Sequence, residues 1–263
     1  MKRMIACLFA VVAIAATADV PKTATIIPAP REMRVTGGEY WAKKPPKMEK
    51  VEGIPPEGYE LSIRPDGMTI RYSDDAGAYY ANMTLFHTGR GDAKAKCKVF
   101  PCVEIRDWPQ FRWRGVMVDD SRHFMGKDTI LRILEQMSWF KLNVFHWHLT
   151  DDQLWSLEIP GYPELQKYGG MLPFARVYQF DPLAGVEESA RPHVVGGQCC
   201  NWTSHTLNRF DLEWKLWPRG FALAEVLWTY PDPAKRDFAE FSARAAEYRR
   251  RLIGAHVNCA PLK

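Results

Sequence analysis

Between Phe111 and Tyr162 the chain reads FRWRGVMVDDSRHFMGKDTILRILEQMSWFKLNVFHWHLTDDQLWSLEIPGY, a strand, a helix and a second strand in close succession. Val116 to Val118 make a short apolar run. Ile130, Ile133, Leu134, Met137 and Phe140 then recur at helical spacing and predict one apolar face. Asp128 stands where an N-cap or first-turn acid belongs. Asn143 to Leu149 returns to strand character, with His146 and His148 on one side of it because Trp147 lies between them. Two parallel strands joined by one helix form a right-handed βαβ unit, which sets the fold class as α/β. Both strands run out into polar residues, Asp119, Asp120, Ser121 and Arg122 after the first and Asp151, Asp152 and Gln153 after the second. Barrel and open α/β enzymes keep their chemistry at the C-terminal ends of such strands.

On the N-terminal side, Tyr59 to Tyr72 reads as a hairpin turning at Pro65-Asp66-Gly67, followed by a helix over Ala76–Phe86 and a short strand at Val103–Ile105. Asp74-Asp75 reads as a solvated loop. Asp107-Trp108-Pro109 marks a boundary. The expected organisation is therefore a leader over residues 1–18, a small non-catalytic α/β domain over 19–108 and a larger unit over 109–263. In the latter, Pro163 to Arg191 is rich in turn residues, strand character returns at Val194–Val195, and helices follow over Pro218–Trp228 and Lys235–Ile253.

Met1-Lys2-Arg3, the apolar run Met4–Ala15 and the small-x-small site Ala16-Thr17-Ala18 read as a secretory signal cleaved before Asp19. The protein is thus expected to be exported, periplasmic or extracellular, with no membrane span in the mature chain. The formal charge of +4 comes without a dense basic stripe, which argues against nucleic acid as a partner. Cys97, Cys102, Cys199, Cys200 and Cys259 remain after cleavage, an odd number that leaves at least one free thiol. A Cys97–Cys102 bridge is open on spacing; the adjacent Cys199 and Cys200 read as two buried thiols on a strand.

SRHF followed by KLNVFHWHLTDDQ resembles the start of the catalytic barrel of family 20 glycoside hydrolases, the β-N-acetylhexosaminidases. GGQCCNWTSH at Gly196–His205 is similar to that family's last barrel strand, LWPRGFALAEVLWT at Leu216–Thr229 to its last helix, and IIPAPREM at Ile26–Met33 to the start of its N-terminal domain. The resemblance implies an α/β domain ahead of a TIM-type (β/α) barrel. It also implies substrate-assisted, retaining hydrolysis of terminal N-acetylhexosamine from glycans or chitin-like oligosaccharides, without a cofactor.

Length then limits what the barrel can be. A complete one takes roughly 200 residues or more, whereas Arg112 to Lys263 holds 152. Three strand-like segments are visible, by resemblance the first, second and eighth, and Leu172–Pro182 resembles the approach to the last. The middle of the barrel is missing, and with it the HxGGDE motif whose Asp orients the acetamido group and whose Glu is the acid. The nearest acidic pair, Glu187-Glu188, lacks the flanking His and glycines and reads as surface charge. No catalytic residue is therefore assigned.

The rim of the site remains. Arg122 matches the family arginine that holds sugar hydroxyls, a use its planar fork of donors suits; the alternative is a salt bridge to Asp119 or Asp120. Trp202 matches the tryptophan on which the pyranose packs; the alternative is ordinary core. Asp151, the family partner of a histidine behind the acid, and His148 are supporting groups. Ser204 stands where the family motif has a sugar-binding glutamate. Three functional readings follow: a hexosaminidase with impaired activity, relying if active on carboxylates such as Asp119 or Asp151; a sugar-binding remnant without activity; and, from a different class, a metal-dependent barrel hydrolase built on His146 and His148, with His193 or His205 as further ligands. Three strands cannot close a barrel. The expected arrangement is an open sheet ordered eighth, first, second, with helices on its outer face and an inner face bearing His146 and Trp202 exposed.

Overall fold

The computed structural model describes residues 25–92, 97–149, 172–230 and 232–262. Two sheets organise them. The first contains β1 (Glu32–Trp41), β2 (Lys47–Lys50), β3 (Tyr59–Arg64), β4 (Gly67–Tyr72), β5 (Arg90–Asp92) and β6 (Cys97–Asp107), ordered β1-β6-β3-β4-β2 with β5 beside β6. β3 and β4 are the expected hairpin, pairing Leu61 with Ile70 and Ile63 with Met68. Helix α1 (Asp75–Thr88) packs on one face over Tyr59, Leu61, Ile63, Ile70, Val103 and Ile105. Asp74 is not a solvated loop residue: its carboxylate accepts from the backbone N–H of Gly77 at 2.8 Å, capping α1, and from that of Glu57 at 2.8 Å.

The second sheet is parallel and, among the described residues, has three strands: β7 (Trp113–Asp119) in the centre, β8 (Val144–His148) on one side and β9 (Gly196–Asn201) on the other. This is the order expected from the sequence. Helix α2 (Lys127–Trp139) connects β7 to β8. Its Ile130, Ile133 and Met137 are buried as expected, but Leu134 is 37% exposed and Gln136 is buried in its place. Gln136 is held there because its carbonyl accepts from the Trp217 indole at 2.5 Å and its amide donates to Glu213 at 3.1 Å. Gly126 (φ 82°), not Asp128, occupies the N-cap position; Asp128 is a first-turn acid.

Among the described residues β8 is followed by the short helix α3 (Phe174–Tyr178), then β9, α4 (Arg209–Leu216), α5 (Arg219–Trp228) and α6 (Phe238–Gly254). Val194–Val195 leads into β9 rather than forming it. The outer face of the second sheet, Val116 and Val118 with Phe145 and Cys199 against them, shares one core with Ile133, Met137, Phe140, Phe221 and Phe241. Among the described residues no helix is long and apolar enough to cross a membrane.

A buried polar cluster joins the two sheets. Asp107, at the end of β6, accepts from Lys141 Nζ at 2.9 Å, Tyr59 OH at 2.7 Å and Trp228 Nε1 at 2.9 Å. Lys141 and Asp107 are both fully buried, and the ammonium lies 4.2 Å from the Trp228 ring centre. Burial lowers the Lys141 pKa while Asp107 works in the opposite direction. Arg114, buried on β7, adds bonds to Glu57 (2.6 Å), Phe111 O (2.7 Å) and Lys141 O (2.8 Å). The position of β7 relative to the first sheet is thus fixed by charge pairing as well as by packing.

Candidate functional site

The C-terminal ends of β7, β8 and β9 meet where the sequence places the rim. Asp119 organises it. Fully buried, its Oδ2 accepts from Arg122 Nη1 at 2.9 Å and from Thr203 N at 3.3 Å, and its Oδ1 from Arg122 N at 3.3 Å. Thr203 Oγ1 donates back to the Asp119 carbonyl at 2.5 Å. One carboxylate therefore holds the loop after β7 and the turn after β9. The result is that the Arg122 guanidinium sits 5.0 Å from the Trp202 ring centre, although the two residues are 80 positions apart. His148 meets Trp202 edge-on at 5.5 Å. Three of the four rim residues named from sequence are brought together; Asp151 lies outside the described residues.

The alternatives for these residues resolve in different ways. Arg122 does form the salt bridge to Asp119, and it also stacks on Trp202. Trp202 is 52% exposed and so is not core. Asp119 is engaged by its donors on both oxygens and faces no solvent, which leaves it badly placed to protonate a leaving group. Asp120 is engaged too, accepting from Met125 N at 3.0 Å and from Trp147 Nε1 at 2.6 Å. Ser204 is exposed, and Glu187 and Glu188 are exposed at a 3-10 turn.

The inner face of the sheet follows from register. Met117 pairs with His146 on one side and Cys200 on the other. His146 and Cys200 are exposed, as is Trp113 near the opposite end of β7. Cys200 is thus not the buried thiol expected from sequence. Cys199, one residue earlier, points to the outer face, where burial, with a smaller push from Cys200, raises its pKa to about 12. Cys97 and Cys102 are free thiols. Both lie in β6, and five residues of extended chain separate them by roughly 16 Å, beyond disulfide reach. The His146 and His148 rings are 6.0 Å apart, and among the described residues no three His, Cys, Asp or Glu side chains gather as a metal centre.

Comparison with known proteins gives this geometry a family. The profile of glycosyl hydrolase family 20, catalytic domain, matches residues 111–176 and 170–231, in two segments that meet at 170–176; that of the family's domain 2 matches residues 42–108. An N,N'-diacetylchitobiase of Vibrio harveyi is 49% identical over 111 residues, covering 42% of this chain and 12% of the relative. A beta-hexosaminidase A of Caenorhabditis briggsae is 35% identical over 171 residues, covering 63% of this chain and 31% of the relative. The chain thus spans less than a third of the length of either. The crystal structure of a family 20 exo-β-N-acetylglucosaminidase from Vibrio harveyi superposes with a TM-score of 0.78 over 91% of this chain and 79% of that one, at 13% identity, a likeness of fold. The fold is that of a family 20 glycoside hydrolase, an α/β sheet domain followed by part of a parallel barrel. The chain belongs to glycosyl hydrolase family 20, the β-N-acetylhexosaminidases.

Proposed function

We propose that this chain recognises terminal N-acetylhexosamine of glycans through Arg122 and Trp202 and hydrolyses it poorly or not at all. The observation that carries the reading is the pairing at the strand ends: Asp119 holds Arg122 against an exposed indole, while the sequence contains no Asp-Glu pair. Substrate-assisted hydrolysis needs a carboxylate to orient the acetamido group and an acid on the leaving oxygen. The Arg fork and indole face supply binding alone. The meeting of the two profile segments at 170–176 supports a barrel lacking its middle. The three-part division into residues 1–18, 19–108 and 109–263, cleavage before Asp19 and export to the periplasm or exterior belong to the same proposal. Mass spectrometry of exported protein tests the cleavage; an intact Met1 terminus would refute it.

Sugar recognition is tested by titrating the purified chain with N-acetylglucosamine while following tryptophan fluorescence. A saturable change is expected, lost in Trp202→Ala and in Arg122→Leu. Absence of a saturable signal in the wild type, or a signal unchanged in Trp202→Ala, would overturn the assignment.

A further inference from the structure

We propose that the inner face of the second sheet holds one soft monovalent metal ion, Cu(I), between Cys200 Sγ and His146 Nδ1, with the Met117 thioether in the same row. Nothing in the sugar-binding reading uses these groups. The site follows from register. Met117 is the Cα partner of both His146 and Cys200, so all three residues lie in one row and on one face across β8, β7 and β9.

The Gln198 amide marks the point where the two outer ligands converge. Its Nε2 is 3.4 Å from His146 Nδ1 and 3.6 Å from Cys200 Sγ. An NH₂ group is donor only, so with His146 in its Nε2–H tautomer the imidazole nitrogen and the sulfur both direct lone pairs at one positively polarised position. That is where a cation would sit. Gly115 makes the arrangement possible. It pairs with Gln198 in the middle strand, and a Cβ there would come within 2.8 Å of Gln198 Cβ. Only a residue without a side chain lets Gln198 lie across β7 towards His146. His146 and Cys200 are both exposed, so an ion can enter and the amide can swing away.

The donor set selects the ion. Thiolate and imidazole together suit Cu(I), and the buried Met117 side chain adds a thioether in the same row. Structural zinc needs four ligands, and among the described residues no third His, Cys, Asp or Glu joins the pair. Binding replaces the thiol proton by the ion, so one proton is released per ion bound and no electron is transferred.

The test is anaerobic titration of the full chain with Cu(I) in competition with a chromophoric Cu(I) chelator, followed by X-ray absorption of the loaded protein. One equivalent should be withdrawn from the chelator, with nitrogen and sulfur both in the copper shell. Cys200→Ser and His146→Ala should each weaken binding by at least about tenfold, the lower end for losing even an outer partner of a metal. Both positions are exposed, so neither change threatens folding. Cys97→Ser should leave the affinity unchanged, and Gln198→Ala, which vacates the convergence point, should preserve or tighten it. Binding unaltered in His146→Ala, an all-sulfur copper shell, or loss of binding in Gln198→Ala would overturn the proposal.

Discussion

The first sheet and the second differ in which faces they cover. The first is largely antiparallel. One face lies under α1, and the other presents a ladder of exposed charges in which Arg34 and Arg64 meet Glu104, and Arg71 and Arg106 meet Glu60. An antiparallel sheet with one wet face is complete. The second sheet is parallel, and parallel sheets are normally buried on both faces. Its outer face is dry, but its inner face carries exposed His146, Cys200 and Trp113, with Trp202 at its rim. Its side chains were selected for an interior whose far wall is not among the described residues. On the proposed reading the rim is built by strand ends that are among the described residues, whereas the acid and its partner would belong to strands that are not.

The largest expected effect lies at the seam between the sheets. Asp107→Ala would leave the buried Lys141 ammonium without its carboxylate, a change that typically costs about 3–5 kcal/mol. Denaturant unfolding should show one transition shifted by this amount, or two transitions if the sheets part. A loss below about 1 kcal/mol, the level of an exposed pair, would show that the seam is held by packing alone.

Next comes the contrast between the two faces of the second sheet. Ile133→Ala, beneath the outer face, should cost about 2–5 kcal/mol. His146→Ala, on the inner face, should change stability by less than about 0.5 kcal/mol. Comparable losses would mean that the inner face is covered in solution, by association between copies or otherwise. Sedimentation at several concentrations separates those cases: a monomer goes with the small His146→Ala effect, and association, the hazard of an exposed apolar face, with a comparable loss.

A smaller effect belongs to the first sheet. Asp74→Ala should cost about 1 kcal/mol through loss of the α1 cap, read from the thermal midpoint. Near neutral pH the smallest effect is that of His87. It is buried among Phe86, Phe140 and Tyr248, and burial, then the charges of Lys141 and Arg251, lowers its pKa well below 6.5; the Ile27 backbone acts weakly the other way. The unfolded chain therefore takes up a proton below pH 6.5 that the folded chain refuses. The His87 contribution to stability should be constant above that pH and fall as pH drops below it. His87→Leu should flatten the fall between pH 6.5 and 5; an equally steep fall in the variant would assign it to other groups.

Much of this was legible in the sequence. The hairpin, both barrel-type strands and the two long C-terminal helices follow from periodicity, and the strand order follows from the resemblance. β1 was not foreseen, because Gly37 and Gly38, both at φ +85°, interrupt its alternation where the pairing with β6 slips between Val35 and Glu39. α4 is only eight residues long, too short for a clear periodicity, and its start is marked in the sequence by the Asn208 cap alone. The capping role of Asp74 and the Cys97–Cys102 separation both needed element boundaries that single residues do not give. At the site, the motifs named Arg122, Trp202 and His148, but not the buried carboxylate that assembles them. The Asp107–Lys141 pair joins residues 34 positions apart across the seam between the sheets, and the Cys200–Met117–His146 row is made by strand register.

The proposal that recognition groups persist without the acid is tested most directly by the turnover number of the purified chain on an aryl N-acetyl-β-glucosaminide. Without an acid or an oriented acetamido group, no turnover near the enzyme median of about 10 s⁻¹ is expected, since general acid catalysis alone contributes about 10²–10⁴-fold. Turnover of about 10 s⁻¹ or more, abolished in Asp151→Asn, would contradict the claim and place the missing acid on that residue.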